Sequence, residues 1–350
     1  RGDPVEDWKH RLPRESTAGS GIGEEKAWNV SMAESEYAAA MARFLGPRVC
    51  ELFGDEGIVE VYVNRDLLVR TDGAGGRRET ELLLSEESIR GFLNIAATRE
   101  GISLGGEDGV YEIAAELPEA IFGKARLQGM VPPLVEAASF VVRKHPARIL
   151  LLPELVACGS ASPEQYEVLK AALAEGESLI VSGATKSGKT NLVNALLHEL
   201  VAIRPGVRVV VLEDTPEVVC PARDTLRMVT VDRRVDLHDL VRIGVRCHPD
   251  VFVVGEVRGR DAYPFLDSMA TGHGGGMCTI HAGSPQGALL RLNRLARLGS
   301  SGEVEQHALI AEVIRLVVQM AWVGSAPRIV EIVRVLGWAE GRGFLLERLA

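Results

Sequence analysis

Long apolar runs are missing from this chain of 350 residues, and none approaches the ~20 residues needed to cross a bilayer. Its first residues are polar and lack the apolar stretch of a secretory leader, so the chain is expected in the cytosol. It opens on Arg1 rather than Met, which leaves the natural start open. Paired cysteines are missing too. Cys50, Cys158, Cys220, Cys247 and Cys278 are scattered with no C-x-x-C spacing, which suggests neither a zinc knuckle nor a disulfide framework and leaves them as reduced core or surface residues. There are no internal repeats. A surplus of positive charge is also lacking: 39 Lys and Arg stand against 48 Asp and Glu, a net charge of -9. That balance argues against a direct nucleic-acid partner and leaves only a local basic channel as a route to DNA. With 46% hydrophobic and 25% charged residues the chain is globular, and its length allows two domains with separate cores.

One stretch organises the rest. Gly183-Ala184-Thr185-Lys186-Ser187-Gly188-Lys189-Thr190 fits G-x-x-x-x-G-K-[ST] at every fixed position. Ser178 to Ser182 reads as a buried strand before it, and Asn191 to Leu197 as a helix after it. Backbone N–H groups in such a turn form a nest, and the positive end of the helix dipole points at its guest. Phosphate is the natural guest. Lys189 is expected to reach the β and γ phosphates of ATP, and the Thr190 hydroxyl to bind Mg²⁺ directly.

Around this loop the chain reads as a polar tail over residues 1–32, an N-terminal α/β domain over 33–146, a linker over 147–161 and an α/β domain over 162–350. In the first domain a helix is expected from Ala33 to Leu45, closed by Gly46-Pro47. Strands follow at Ile58–Val63 and Leu67–Arg70, then a helix at Glu86–Arg99 whose Ile89, Phe92, Leu93 and Ala96 share a face. Extended runs are expected at Val110–Leu117, Ile121–Leu127 and Phe140–His145. A period of two puts Lys124, Arg126 and Gln128 on one face, which chemistry alone reads as a solvated sheet surface; Arg143-Lys144 closes the domain. In the second domain Ser162, Pro163 and Gln165 form a helix start and Gly176 its stop. Beyond the loop strand and helix alternate, as a doubly wound parallel sheet requires. Two helical stretches, Pro285–Leu298 and Val304–Leu316, precede extended segments at Val317–Val323, Arg328–Val335 and Phe344–Arg348.

Asp250 to Glu256 is a buried strand that delivers the Glu256 carboxylate at its C-terminal end, where parallel sheets bind ligands. Glu256 is the first candidate to orient or activate the attacking water. A second strand, Val209 to Leu212, presents Glu213 and Asp214, with Glu217 following. Such carboxylates hold Mg²⁺ through water, Glu213 foremost, or cap local structure. His273 and His281 flank a glycine-rich turn and a short strand. No third ligand has matching spacing, so sensing the γ phosphate or fixing the water suits them better than zinc.

The ordered set of loop, Leu212 to Glu217, Val254 to Gly259, and Thr271-Gly272-His273 through Ala282 resembles the secretion and conjugation traffic ATPases. Leu127 to Pro133 and Phe140 to Lys144 look most like their conjugal-transfer TrbB branch. The resemblance covers about Ala33 to Val335. It implies a RecA-like phosphate-loop NTPase domain behind a mixed α/β N-terminal domain, assembled as a homo-hexamer with ATP between the two domains of one subunit and a neighbour. It further implies a motor for conjugative transfer, type IV secretion or pilus assembly, peripheral to the cytoplasmic face of the inner membrane and partnered by channel proteins there. Carried over by position, Gly183 to Asn191 hold nucleotide, Glu213 and Glu217 match the acidic box, Glu256 the catalytic carboxylate, and His273 and His281 the histidine box. Arg126 and Arg143 match the first-domain arginines that touch the γ phosphate, which reverses the solvated-surface reading. Lys186 departs from a usual glycine, and a left-handed backbone there would cost on the order of 1 kcal/mol. Asn191 replaces a frequent threonine, and Gly255 stands where other phosphate-loop enzymes carry a metal-binding Asp.

Two other classes share parts of this pattern. A DNA-translocating motor of similar core would bind DNA with steep salt dependence. A small-molecule phosphotransferase is disfavoured, because its phosphate loop would lie near the chain start.

Overall fold

The computed structural model describes residues 34–73, 75–106, 109–145, 148–231, 234–272, 275–300, 305–324 and 326–350; the tail expected over 1–32 lies outside them. The chain divides between Ala147 and Arg148 into two compact units, each with its own sheet and core.

Unit one begins with helix α1, residues 34–45. Gly46 then turns the chain with φ 78° into a second helix, α2 (Pro47–Gly54), which the Gly-Pro stop had concealed. Proline is as well suited to a first helical turn as to a stop, because its missing N–H is an orphan there anyway. Then come β1 (Ile58–Val63), β2 (Leu68–Gly73), β3 (Arg78–Leu83), α3 (Glu86–Arg99), β4 (Glu112–Glu116), α4 (Glu119–Phe122), β5 (Arg126–Met130) and β6 (Ser139–Arg143). The sheet runs β3-β2-β1-β6-β5-β4, every neighbouring pair antiparallel. β3 gave no signal because it is an edge strand of mostly polar residues. The expected α3 face is buried as Ile89, Phe92, Leu93 and Ala96, with the Phe92 ring 5.2 Å from that of Phe140. The run Ile121–Leu127 is not one extended segment. α4 ends at Gly123 (φ 60°), Lys124 is also left-handed (φ 57°), and the strand starts only at Arg126. Lys124 thereby leaves the expected face and pairs with Glu119 at 3.5 Å, while Arg126 and Gln128 alternate with buried Leu127 and Gly129.

Unit two contains α5 (Leu152–Ala157), α6 (Pro163–Glu175), β7 (Leu179–Gly183), α7 (Lys189–Ile203), β8 (Arg208–Glu213), β9 (Asp224–Val229), α8 (Leu237–Gly244), β10 (Val251–Val254), α9 (Ala262–Ala270), β11 (Met277–Ile280), α10 (Pro285–Gly299), α11 (His307–Val313), β12 (Leu316–Val323), β13 (Ala326–Ala339) and β14 (Gly343–Arg348). The stretch 147–161, expected as a linker that also packs, carries a helix, α5, and its Leu152 and Leu155 enter the core. The start of α6 has the anticipated capping box, Gln165 N–H to Ser162 Oγ at 3.1 Å and Ser162 N–H to Gln165 Oε1 at 2.9 Å, and Gly176 ends it at φ 68°. α11 is shorter than expected, because Leu316 is already a buried strand residue paired with Leu179.

The eight strands lie in the order β14-β13-β12-β7-β11-β10-β8-β9. β12 through β9 are mutually parallel, and β13 and β14 extend the sheet antiparallel. Alternate strand residues feed two cores. Leu179, Val181, Val209 and Val211 face α6 and α7, whereas Ile180, Val210, Leu212 and Phe252 face α8 to α11. Helices on both faces make this the expected doubly wound arrangement. Strand order is what matters for the site: β7, β11, β10 and β8 are consecutive neighbours, so their C-terminal tips form one row.

Candidate functional site

β7 ends at Gly183 and α7 begins at Lys189, and the first turn of this 15-residue helix has no side-chain cap. Backbone geometry dictates the glycines. A Cβ on Gly183 would lie 2.4 Å from Ser187 Oγ and 2.6 Å from the Met320 carbonyl oxygen. Gly188 sits at φ 85°, a conformation that favours glycine. Lys186 meets the condition set by its departure from glycine: φ is 63°, so the loop carries a left-handed non-glycine residue at a cost of about 1 kcal/mol. Ala184, Thr185, Lys186 and Asn191 are exposed, Ser187 and Lys189 are buried, and Thr190 is half-buried. Ser187 Oγ is buried with no hydrogen-bond partner among the described residues. An uncapped helix start, an orphaned buried hydroxyl and a buried lysine beside exposed loop backbone fit a bound polyphosphate.

From Lys189 a chain of contacts runs along the strand tips. Its ammonium donates to the Ala184 carbonyl at 2.8 Å and lies 3.2 Å from His281 Nδ1. His281 Nε2 is 3.0 Å from Glu256 Oε1, and Glu256 Oε2 accepts from Arg258 at 2.7 Å. Arg258 also reaches Asp214, at 3.6 Å. Burial pushes the Glu256 carboxyl up, but the Arg258 hydrogen bond and the charges of Arg258, His281 and Lys189 hold it below the usual value. Burial and the Lys189 charge push His281 down, against the pull of Glu256. At neutral pH Glu256 is therefore a carboxylate and His281 a neutral ring. With Lys189 donating to Nδ1, the network assigns the ring proton to Nε2, facing Glu256.

Glu213, at the tip of β8, is buried and accepts at Oε1 from the backbone N–H of Glu217 (2.8 Å) and Val218 (2.7 Å). Its Oε2 has no hydrogen-bond partner among the described residues, with Arg227 Nε at 3.9 Å, and burial raises its pKa. A Cβ on Gly255 would meet Glu213 Cγ at 3.0 Å, so Glu213 fills the space that an Asp at position 255 would need. The carboxylate is supplied from the adjacent strand instead. Thr190 Oγ1 lies 3.4 Å from Glu217 Oε2, and Asn194 fixes the same turn by bonding the Glu217 carbonyl and the Val219 N–H. Thr190 and Glu217 thus stand together as oxygen ligands suited to a hard cation, with Glu213 shaping the turn behind them.

Of the expected residues, Lys189, Thr190, Glu213, Glu217, Glu256 and His281 are gathered in unit two, and His273 lies outside the described residues. Arg126 and Arg143 are direct register partners on β5 and β6 of unit one. Glu116 is opposite Arg126 and Glu60 opposite Arg143, so an acidic residue flanks each arginine in one cross-strand row. Sequence reasoning gave no role to Arg258, Arg227, Asn194 or Trp322. Arg258 lies inside the Val254 to Gly259 motif, which could have marked it; the others carry no local signal.

A family model for type II/IV secretion system proteins matches residues 119–324. A probable conjugal transfer protein TrbB of Sinorhizobium fredii is 34% identical over 301 residues, 85% of this chain and 89% of that protein. The type IV secretion system protein PtlH of Bordetella pertussis is 32% identical over 256 residues, 63% of this chain and 74% of that protein. Among solved structures, the ATPase DotB of Legionella pneumophila shares the fold with a TM-score of 0.59 and 20% identity, covering 85% of this chain and 81% of that one.

Proposed function

Because the chain belongs to the type II/IV secretion system protein family, in its TrbB-like branch, we propose that it is an ATP-hydrolysing ring motor for conjugative transfer or type IV secretion. The observation that carries this reading is the continuous contact from phosphate loop to carboxylate, Lys189 to His281 at 3.2 Å and His281 to Glu256 at 3.0 Å. It joins the group that answers phosphate charge to the group that orients water. The loop amides and Lys189 hold the phosphates, for which Lys189 exchanges its bond to the Ala184 carbonyl. Thr190, Glu217 and Glu213 would hold Mg²⁺, which would supply charge neutralisation at the phosphate oxygens when bound. Glu256 accepts a hydrogen bond from the attacking water, and His281 keeps that carboxylate aimed at the loop. Arg126 and Arg143 act on the γ-phosphate charge in the assembled motor, where an arginine is worth ~10³ or more in rate. The ring is a homo-hexamer at the cytoplasmic face of the inner membrane, docked there by channel proteins. Among the described residues no helix is long and apolar enough to cross a membrane.

The test is Glu256→Gln, which keeps size and hydrogen bonding while removing the charge. It is expected to bind ATP with near-native affinity and to hydrolyse it roughly 100-fold more slowly or worse. Near-normal turnover would remove Glu256 from this role.

A further inference from the structure

Strand β12 outruns its neighbour beside the phosphate loop. β7 ends at Gly183 opposite Met320, while β12 continues to Val323 and turns back into β13. The overhang stands beside the loop that leaves β7. Strand alternation puts Met320 and Trp322 on one face, and Pro327 joins them as the register partner of Trp322. All three meet the loop. A Cβ on Gly188 would lie 3.2 Å from Pro327 Cβ and 3.5 Å from Met320 Cε, and the Trp322 indole N–H donates to the Lys186 carbonyl at 3.0 Å. That carbonyl belongs to the one left-handed non-glycine residue of the loop, at φ 63°. It also shares a peptide plane with the Ser187 N–H, so a donor fixed on the oxygen fixes where that N–H points. The Ser187 N–H is turned inward, onto the Ala184 carbonyl at 3.3 Å.

Left-handed geometry is unfavourable for lysine and costs glycine nothing. Without an external hold, a lysine at this position lets the peptide swing back, and the backbone path that receives phosphate is lost. A glycine needs no such hold. We propose that Trp322 is a positioning residue for nucleotide binding: its indole N–H holds the Lys186 peptide in the left-handed turn, with the Ser187 N–H closing that turn onto the Ala184 carbonyl, and so keeps the backbone path of the loop that receives phosphate. The inference rests on the nucleotide reading of this loop, and it assigns to the β12–β13 hairpin a role that no motif marks.

The experiment is a double-mutant cycle on the full chain with Trp322→Phe, Lys186→Gly and the pair, read as the calorimetric Kd for Mg·ADP. Phenylalanine keeps the ring and loses only the donor. With Lys186 in place, Trp322→Phe is expected to weaken binding roughly threefold to tenfold, the worth of one neutral hydrogen bond. The KM for ATP should rise by a similar factor while kcat moves less. In the Lys186→Gly background the same substitution is expected to cost less than about twofold, because no strain remains to be held. Trp322→His, which keeps a ring N–H, should recover most of the affinity. An equal loss in both backgrounds would mean the indole merely packs, and no loss beside Lys186 would mean the bond does nothing; either overturns the proposal. A native chain that takes up no Mg·ADP removes the nucleotide reading and this inference together. Uptake that ignores all three substitutions removes this inference alone.

Discussion

His281 sits between a cation and an anion, and its protonation decides whether the row at the strand tips holds. The folded ring has a pKa below the usual value near 6.5, so over that window the folded site binds fewer protons than the unfolded chain. Stability from the neutral ring is therefore fully present above pH 6.5 and is lost as pH falls toward the folded value. Turnover should follow the same direction, because a protonated ring can no longer accept from Lys189. A pH profile of kcat/KM is expected to show an acid limb starting below pH 6.5. His281→Gln should abolish that limb and leave only the fall that belongs to Glu256, below pH 4.5, since its carboxyl is also depressed. An unchanged limb in that variant would take His281 out of the row. Lys186 makes a different point at this scale. The sequence shows which residue stands in the loop, but its cost depends on a dihedral angle, and what offsets that cost is a bond from a residue 136 positions away.

At the scale of elements, the strand tips do their work through the turns that leave them. The turn after β8 is held by Glu213, whose Oε1 is the acceptor for two backbone N–H groups, one of them buried. Glu213→Ala leaves both without that acceptor and is expected to cost about 2 kcal/mol, with a fall in Tm of roughly 4–8 °C for a unit of this size. Glu213→Gln keeps an acceptor oxygen in place and should melt within a few degrees of the native chain. Equal melting temperatures for the Ala variant and the native chain would show that the turn holds itself. Caps and glycines of this kind were legible beforehand. Ser162 with Gln165, Gly176, and the strand-loop-helix at 179–203 are encoded by residues a few positions apart, and a cap needs no more than that. The missed pieces, α2, β3, α4 and α5, are short, and each is decided by what it packs on. Leu152 and Leu155 lie in a linker that also packs by its sequence, but the short helix that carries them is fixed only by the core they enter.

On the scale of the whole molecule, each unit closes its own core: one cluster in the first, and two on opposite faces of the sheet in the second. Residues 148–350 alone are thus expected to melt cooperatively and to bind Mg·ADP within about threefold of the full chain, since the phosphate loop, Trp322 and the strand tips all lie within them. Their turnover should fall by ~10³ or more, because Arg126 and Arg143 are gone. Calorimetric binding beside phosphate-release rates checks both, and full turnover by the fragment would withdraw the two arginines from the reaction. By itself the sequence determined the phosphate loop, the strand ends that carry carboxylates and most helix limits. Those features depend on local dihedral demands and on hydrophobic periods read within a few residues. Only the tertiary structure decided which tips are neighbours. Lys189 and His281 are 92 positions apart and Trp322 lies far beyond the motif it holds. The order β12-β7-β11-β10-β8 places them together, and strand order is set by the packing of helices on both faces of a sheet, which no local pattern records.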